Sequence, residues 1–319
     1  MMLTFAFCTF NRADRLEALV SAMRAQSCPI PFEILAVNNN SRDNTLEVLD
    51  RLAALPGVAL RHVTETAQGI VPARNRAISE ALCSDILVFI DDDELPTPGL
   101  LDAACDAIIN EGAQCVGGRV QVDFTPFDRP RWLSDDLLGF LAEVEHGDTS
   151  MWLTDDSRLL WTANIAYDMR LFRDNPDLRF DRRYNRVGVD VGGGEDAVMF
   201  RELLSRGTRM RYRPEMKTRH FIEEWRLQRM YFLRLHYRAG LRFGEFSLDR
   251  AAREVLGMPP FLLRQLFAHV ARWLSMSMRG QRGALRQGMN AAHCFGSLRG
   301  YLRKPSSAAT APETPASGN

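Results

Sequence analysis

The chain contains no cysteine pattern that would build a metal or redox centre. Its six cysteines (Cys8, Cys28, Cys83, Cys105, Cys115, Cys294) form no CxxC pair, and most sit inside apolar stretches. Reduced thiols in a cytosolic compartment fit that usage. No uninterrupted apolar run approaches about 18 residues. The stretch from Met1 to Phe7 is too short for a secretory core and lacks its basic flank, so no membrane-crossing segment is expected. A repeat of about 20 to 50 residues is also missing, which argues against a solenoid. Net charge is absent overall, with 40 basic and 40 acidic residues, but its distribution is uneven. From Arg201 to Lys304 there are 22 Lys and Arg against 7 Asp and Glu, so the C-terminal third is cationic. What remains is a globular chain of 319 residues, 46% hydrophobic, long enough for one large domain or two modest ones.

The apolar run Ile86 to Ile90 ends abruptly in Asp91-Asp92-Asp93-Glu94. An apolar run bounded by acids reads as a buried strand, and ligands of open parallel sheets sit beyond the carboxyl ends of the strands. Four adjacent carboxylates repel one another, a cost usually tolerated where a hard divalent cation and a diphosphate are bound. The alternative is a helix start, because Pro96 and Pro98 follow.

Around this run the chain alternates. Leu3 to Cys8, Phe32 to Val37 and Val58 to Val63 read as strands. Helices are expected from Leu16, Leu19, Val20 and Met23, from Leu46, Leu49, Leu52 and Leu55, and over residues 69–82. The pattern predicts an α/β domain with a mainly parallel sheet. Residues 99–110 read as a further helix and 115–124 as a strand, in which Gly117-Gly118 allows a bulge or a close backbone approach. Residues 125–160, with Pro126, Pro130, Trp132 and Trp152, break the alternation and are a candidate cover for an acceptor. Residues 159–167 then alternate as a strand. The glycine hinge Gly192-Gly193-Gly194 precedes Glu195-Asp196 at the start of a helix that stops at Gly207.

Four of these blocks, in this order, resemble glycosyltransferase family 2 enzymes of the GT-A fold, and among them the bacterial exopolysaccharide transferases of the succinoglycan-assembly type. They are Cys8-Thr9-Phe10-Asn11-Arg12, Val37-Asn38-Asn39-Asn40-Ser41, Gln68-Gly69 with Ala73-Arg74-Asn75, and Asp91-Asp92-Asp93, which is similar to a DxD motif. The resemblance covers about residues 3 to 220 and implies a Rossmann-like catalytic domain over 1–220. It implies that Thr9, Asn11, Arg12, Asn38, Asn40, Gly69, Arg74, Asp91 and Asp92 bind a nucleotide-sugar donor, a UDP-sugar first. Asn38 stands where many members carry an Asp that holds the base, and Asp91 would contact the ribose. Asp93 would hold Mg²⁺ or Mn²⁺ with His220 as a further metal ligand, and Gly194-Glu195-Asp196 resembles the motif that supplies the catalytic base.

Sugar transfer needs charge stabilisation at the departing diphosphate and a base for the acceptor hydroxyl, roles that Asp93 and Asp196 or Glu195 can fill. Each block also has a plain structural reading. Glu195-Asp196 can be helix-start acids, Asn38 to Ser41 a turn, and His220 a packed histidine, while Trp161 and Asn164 belong either to the core or to an acceptor site. Two rival functions stay open, a nucleotidyltransferase and a non-catalytic sugar-nucleotide binder; the first usually opens on a glycine-rich loop, and Thr9 to Arg12 has no glycine.

Residues 221–304 are expected to form a helical basic extension. There Arg264, Arg272 and Arg279 fall on one stripe, while Phe261, Leu262, Leu266, Val270, Trp273 and Leu274 supply apolar surface. Such a helix can lie on an anionic membrane or pack on a protein, and no nucleic-acid motif accompanies it. Residues 305–319 read as a disordered tail. The expectation is a transferase adding sugar to a saccharide or lipid-linked saccharide, cytoplasmic and peripheral on the inner face of the cell membrane.

Overall fold

A computed structural model describes residues 1–125, 127–187 and 194–304. Pro126, the glycines Gly192 and Gly193, and the tail from Pro305 onward lie outside the described residues. The chain divides into two compact units, Met1–Gln228 and Arg229–Asn319.

The first unit follows the order β1 (Leu3–Thr9), α1 (Leu16–Arg24), β2 (Phe32–Asn38), α2 (Thr45–Ala53), β3 (Leu60–Thr64), α3 (Ile70–Glu80) and β4 (Ile86–Asp91). Then come β5 (Glu94–Pro96), α4 (Leu100–Cys105), β6 (Cys115–Asp123), β7 (Met151–Leu153), β8 (Asn164–Asp168), α5 (Arg170–Asp174), α6 (Glu195–Ser205) and β9 (Met210–Phe221). One mixed sheet runs β3-β2-β1-β4-β8-β6-β9-β5, with β7 on β9. The half that the sequence reads as βα units, β3-β2-β1-β4, is parallel throughout.

The unbroken apolar runs are explained by burial on both sheet faces. Along β4, Ile86, Val88 and Ile90 join a core with α1, α2 and α4, while Leu87 and Phe89 join another with α3. The strand order reverses beside β1, so the carboxyl ends of β1, β2 and β4 open onto one crevice, the usual ligand position in such sheets.

Three expectations are corrected. In α2 the buried residues are Thr45, Val48, Leu49 and Leu52, while Leu46 and Leu55 are exposed. A repeat of three residues falls behind the helical turn, so Leu46 leaves the face that Leu49 and Leu52 bury, and Leu55 lies past the end of the helix. The strand expected over residues 159–167 forms only from Asn164, where the Asn164 N–H donates to the Trp161 carbonyl in a turn; β8 then runs antiparallel to β4. The helix from Leu100 widens into a π-turn over Asp106–Asn110. Gly118 fulfils both readings made of it: a side chain there would meet the Met216 carbonyl at 1.8 Å, and the register with β9 shifts between Gly118 and Arg119.

The second unit holds α7 (Arg229–Arg242), α8 (Pro260–Met278) and α9 (Ala284–Arg303). The segment after Phe221, expected to open the basic extension, packs in the first unit, because Glu223 pairs with Arg12 at 2.5 Å and Arg15 at 3.6 Å. No helix among the described residues is long and apolar enough to cross a membrane.

Candidate active site

The loops after β1, β2 and β3 are tied together by short polar side chains. Asn39 is the hub: its amide donates to the carbonyls of Glu65 and Ala67 at 3.3 and 2.7 Å, and its oxygen accepts from Gly69 N–H at 2.7 Å. Asn11 and Asn40 adopt left-handed backbone, at φ 53° and 56°, which asparagine tolerates better than most residues. Asn11 accepts from Arg42 N–H and its own N–H donates to Ser41, locking the first loop to the second. Asn38 is buried, its oxygen accepting from Ser41 N–H at 3.0 Å, so that oxygen shapes the turn. Thr9 lies beside Asp92 at the end of β1. Gly69, at φ 123°, faces Asn185, whose oxygen would stand 2.1 Å from any added side chain.

Arg74, on α3, is only 2% exposed and joins two blocks far apart in the chain. Its guanidinium contacts Asp91 at 3.2 Å, Glu195 at 3.2 Å and Asp196 at 2.8 Å, and lies over the Phe180 ring. A planar cation with several fixed donors suits such a multi-carboxylate contact better than lysine would. Asp91 closes β4 and Glu195-Asp196 open α6, so the first acid of the DDD block and the helix-start acids face one another through this side chain.

Both Arg74 and the Thr162 hydroxyl donate to Oδ1 of Asp196. Asp196 keeps its side chain 19% exposed, whereas Glu195 is buried. Burial pushes Asp196 up to about 6, with Arg74 opposing the rise and Glu195 adding to it. The Cys8 thiol, beside Arg74 and Asp91, is pushed well up by burial and is inert.

The other acids lie on the far side of Asp91. Burial and the adjacent Asp93 push Asp92 up to about 7. Asp93 goes the other way: burial raises it, but the charge of the neighbouring His220, and after it that of Arg226, holds it below the usual carboxylate range. Glu94 lies in β5 paired with His220 on β9, and burial pushes it up to about 8. Burial lowers His220 and Asp93 raises it, the net direction being upward. Arg226 faces its Nε2 at 3.1 Å, a contact that a neutral ring accepts and a protonated one opposes.

This corner can be tested for a divalent cation. The Nδ1 of His220 lies 3.4 Å from Asp93 and 3.5 Å from Glu94, and that nitrogen and both Glu94 oxygens are buried without hydrogen-bond partners. Carboxylate oxygens suit Mg²⁺ or Mn²⁺, and of the two Mn²⁺ is the one that accepts an imidazole nitrogen beside them. No three acidic, His or Cys side chains among the described residues are gathered to hold a metal by themselves. The residues therefore fit a cation that completes its shell with water and substrate phosphate, as Mg²⁺ commonly does.

Of the two acceptor candidates, Trp161 is half-buried against the core, next to Thr162. Asn164 is corrected: it is buried, and its amide donates to the carbonyls of Arg119 and Met216 at 3.0 and 2.9 Å, bridging β8 to β6 and β9. Asn39, Thr162, Glu223 and Arg226 escaped sequence reading. Asn39 carried a local signal, its place inside an Asn-rich turn; Thr162 and Glu223 act on partners remote in sequence, and Arg226 on His220 in the strand before it.

The chain is 24% identical to the succinoglycan biosynthesis protein ExoM of Rhizobium meliloti (strain 1021) over 247 residues, 76% of this chain and 74% of that one. The fold is shared with the mannosyltransferase PcManGT of Pyrobaculum calidifontis, solved with GDP-Man and Mn²⁺, at a TM-score of 0.58 and 19% identity, covering 94% and 87% of the two chains. It is shared also with residues 1–349 of S. aureus TarS, solved with UDP-GlcNAc, at a TM-score of 0.56 and 15% identity over 95% and 92%. The family model for glycosyl transferase family 2 matches residues 4–177, the stretch that builds the parallel half-sheet, the Asn39 loops, Arg74 and the DDD block, and the chain belongs to that family of transferases.

Proposed function

We propose that this glycosyltransferase moves a sugar from a nucleotide-diphosphate donor, a UDP-sugar first, to a hydroxyl of a saccharide carried on a lipid, with inversion, during polysaccharide assembly. The observation that carries the reading is Arg74, whose one guanidinium holds Asp91 of the DDD block beside Asp196. A donor end and a base end thereby share one crevice. The complexes of the two structural neighbours, GDP-Man with Mn²⁺ and UDP-GlcNAc, support a nucleotide-sugar donor. The relation to a succinoglycan biosynthesis protein supports a polysaccharide product.

In this reading the nucleotide lies over the loops held by Asn39, with Thr9, Asn11, Arg12, Asn38, Asn40 and Gly69 forming its bed and Asp91 toward the ribose. Asp92 lines the same wall. Asp93 and His220 would hold Mg²⁺ or Mn²⁺. When bound, the cation spreads the negative charge that develops on the departing diphosphate. Arg74 and Thr162 both occupy Oδ1 of Asp196, which leaves Oδ2 to accept the proton of the acceptor hydroxyl. The acceptor hydroxyl's oxygen, its proton passing to Oδ2, attacks the anomeric carbon as the bond to the diphosphate breaks, and the bonding pair departs with the phosphate. Glu195 supports Asp196 from the buried side, and Trp161 offers an aromatic wall to the acceptor.

The test is a thermal-shift screen of UDP and GDP with Mn²⁺, followed by turnover of a labelled donor. A ligand that binds only the folded form raises its midpoint. Asp196→Asn should keep the nucleotide shift and lose turnover. If Asp196→Asn turns over donor at the wild-type rate, the base lies elsewhere.

A further inference from the structure

The second unit carries a surface that catalysis does not use. From Val255 to Lys304 it has eight Arg and Lys and no Asp or Glu. Its helices meet through backbone: a side chain at Gly240 would stand 2.0 Å from the His293 carbonyl, and one at Gly300 2.0 Å from the Leu241 carbonyl. Glycine at four-residue spacing, Gly240 with Gly244 and Gly296 with Gly300, permits that approach.

On its exposed side α8 carries a continuous apolar stripe. Phe267, Leu274 and Met278 are 72%, 52% and 82% exposed and lie seven and four residues apart, on one face of the helix. Arg264, Arg272 and Arg279 flank that stripe along one side. An apolar stripe of this kind costs free energy in water unless something covers it.

We propose that this face of α8 lies in the headgroup plane of an anionic phospholipid bilayer, with the three apolar side chains inserted and the arginines on the phosphates. The charge pattern selects this occupant. A second copy would bring an equally cationic surface against the first, and a nucleic-acid backbone offers the apolar stripe nothing to bury in. A surface of uniform negative charge above a hydrocarbon layer satisfies both halves of the face. The inference deepens the lipid-linked acceptor reading, yet it rests on residues that take no part in the transfer.

The full chain should co-float with vesicles of equimolar phosphatidylcholine and phosphatidylglycerol and remain behind with phosphatidylcholine alone. Joint replacement Arg264→Gln, Arg272→Gln and Arg279→Gln should lower the partition coefficient about 100-fold at low salt. Phe267→Ser with Leu274→Ser and Met278→Ser should lower it at least ~10-fold at any salt. All six positions are on the surface, so both variants should keep the wild-type circular dichroism and nucleotide thermal shift. Failure of the wild type to float, equal flotation with both vesicles, or variants that float like the wild type would each overturn the proposal. So would a dimer that the serine variant dissociates, or capture by polyglutamate without capture by vesicles. Flotation without any nucleotide shift would sink the catalytic reading and leave this one standing.

Discussion

Replacing Arg74 by methionine removes a buried guanidinium that three carboxylates share and leaves an apolar side chain of similar length over Phe180. Unit charges about 4 Å apart interact by about 4 kcal/mol at an effective dielectric of ~20, an upper bound of roughly three pKa units on Asp196. Partial exposure of Asp196 and relaxation of its neighbours reduce this, so a rise of about one to two units is expected. Asp196 already stands at about 6, so in the variant it titrates above neutrality. In the proposed mechanism the ionised form activates the acceptor. Activity therefore falls as pH drops through this value, and the midpoint moves upward in the variant. With the loss of an orienting charge-assisted hydrogen bond added, kcat/KM at pH 6.5 should fall about 10- to 100-fold and recover partly by pH 9. The fold should also lose about 3–5 kcal/mol, since carboxylates are left without their buried partner. The assay is a pH series of labelled-donor transfer beside urea denaturation of both proteins. A pH profile parallel to the wild type, with the change confined to the donor KM, would show that Arg74 serves the nucleotide alone.

The wild type should show kcat/KM rising with pH through a midpoint near 6, because the ionised base is the active form; a flat profile from pH 5 to 8 would exclude Asp196. Thr162→Val removes a donor to Oδ1 of Asp196 and should raise that midpoint by about half a unit to one unit while costing under about tenfold in kcat. Asp93→Ala should abolish the Mn²⁺-dependent part of the nucleotide thermal shift and leave the metal-free part in place; an unchanged shift would remove Asp93 from the cation's shell. Asn39→Ala leaves the Gly69 N–H and two carbonyls without their partner and should cost about 2–4 kcal/mol, read from urea unfolding, with a weaker nucleotide shift. Gly300→Val forces the helices of the second unit apart and should expose it to proteolysis while donor binding in the first unit is kept.

Much of the catalytic domain is written locally. The run Ile86 to Ile90 is apolar at every position because β4 is covered on both faces, and the acids that end it mark where the strand emerges. Gly117-Gly118 announced a bulge because only glycine survives a carbonyl at 1.8 Å. Where periodicity misled, geometry gives the reason: Leu46, Leu49, Leu52 and Leu55 look regular on paper, but a three-residue spacing turns Leu46 off the face that Leu49 and Leu52 bury, and the helix ends at Ala53 before Leu55.

Backbone hydrogen bonding and side-chain burial act over a few residues, so the sequence by itself determined the strands, most of the helices, the order of the blocks and the place where the carboxylates leave the sheet. Which atoms meet is another matter. Arg74 reaches Glu195 and Asp196 across 121 and 122 residues, and Thr162 reaches Asp196 through a turn where a strand was expected. Asn164 turned inward to bind two carbonyls, and Asn39, not its neighbour Asn38, gathered three loops. Those pairings depend on distances that only the closed sheet sets, because a side chain's partner is chosen by proximity in space and by the need of a buried charge or amide to be satisfied.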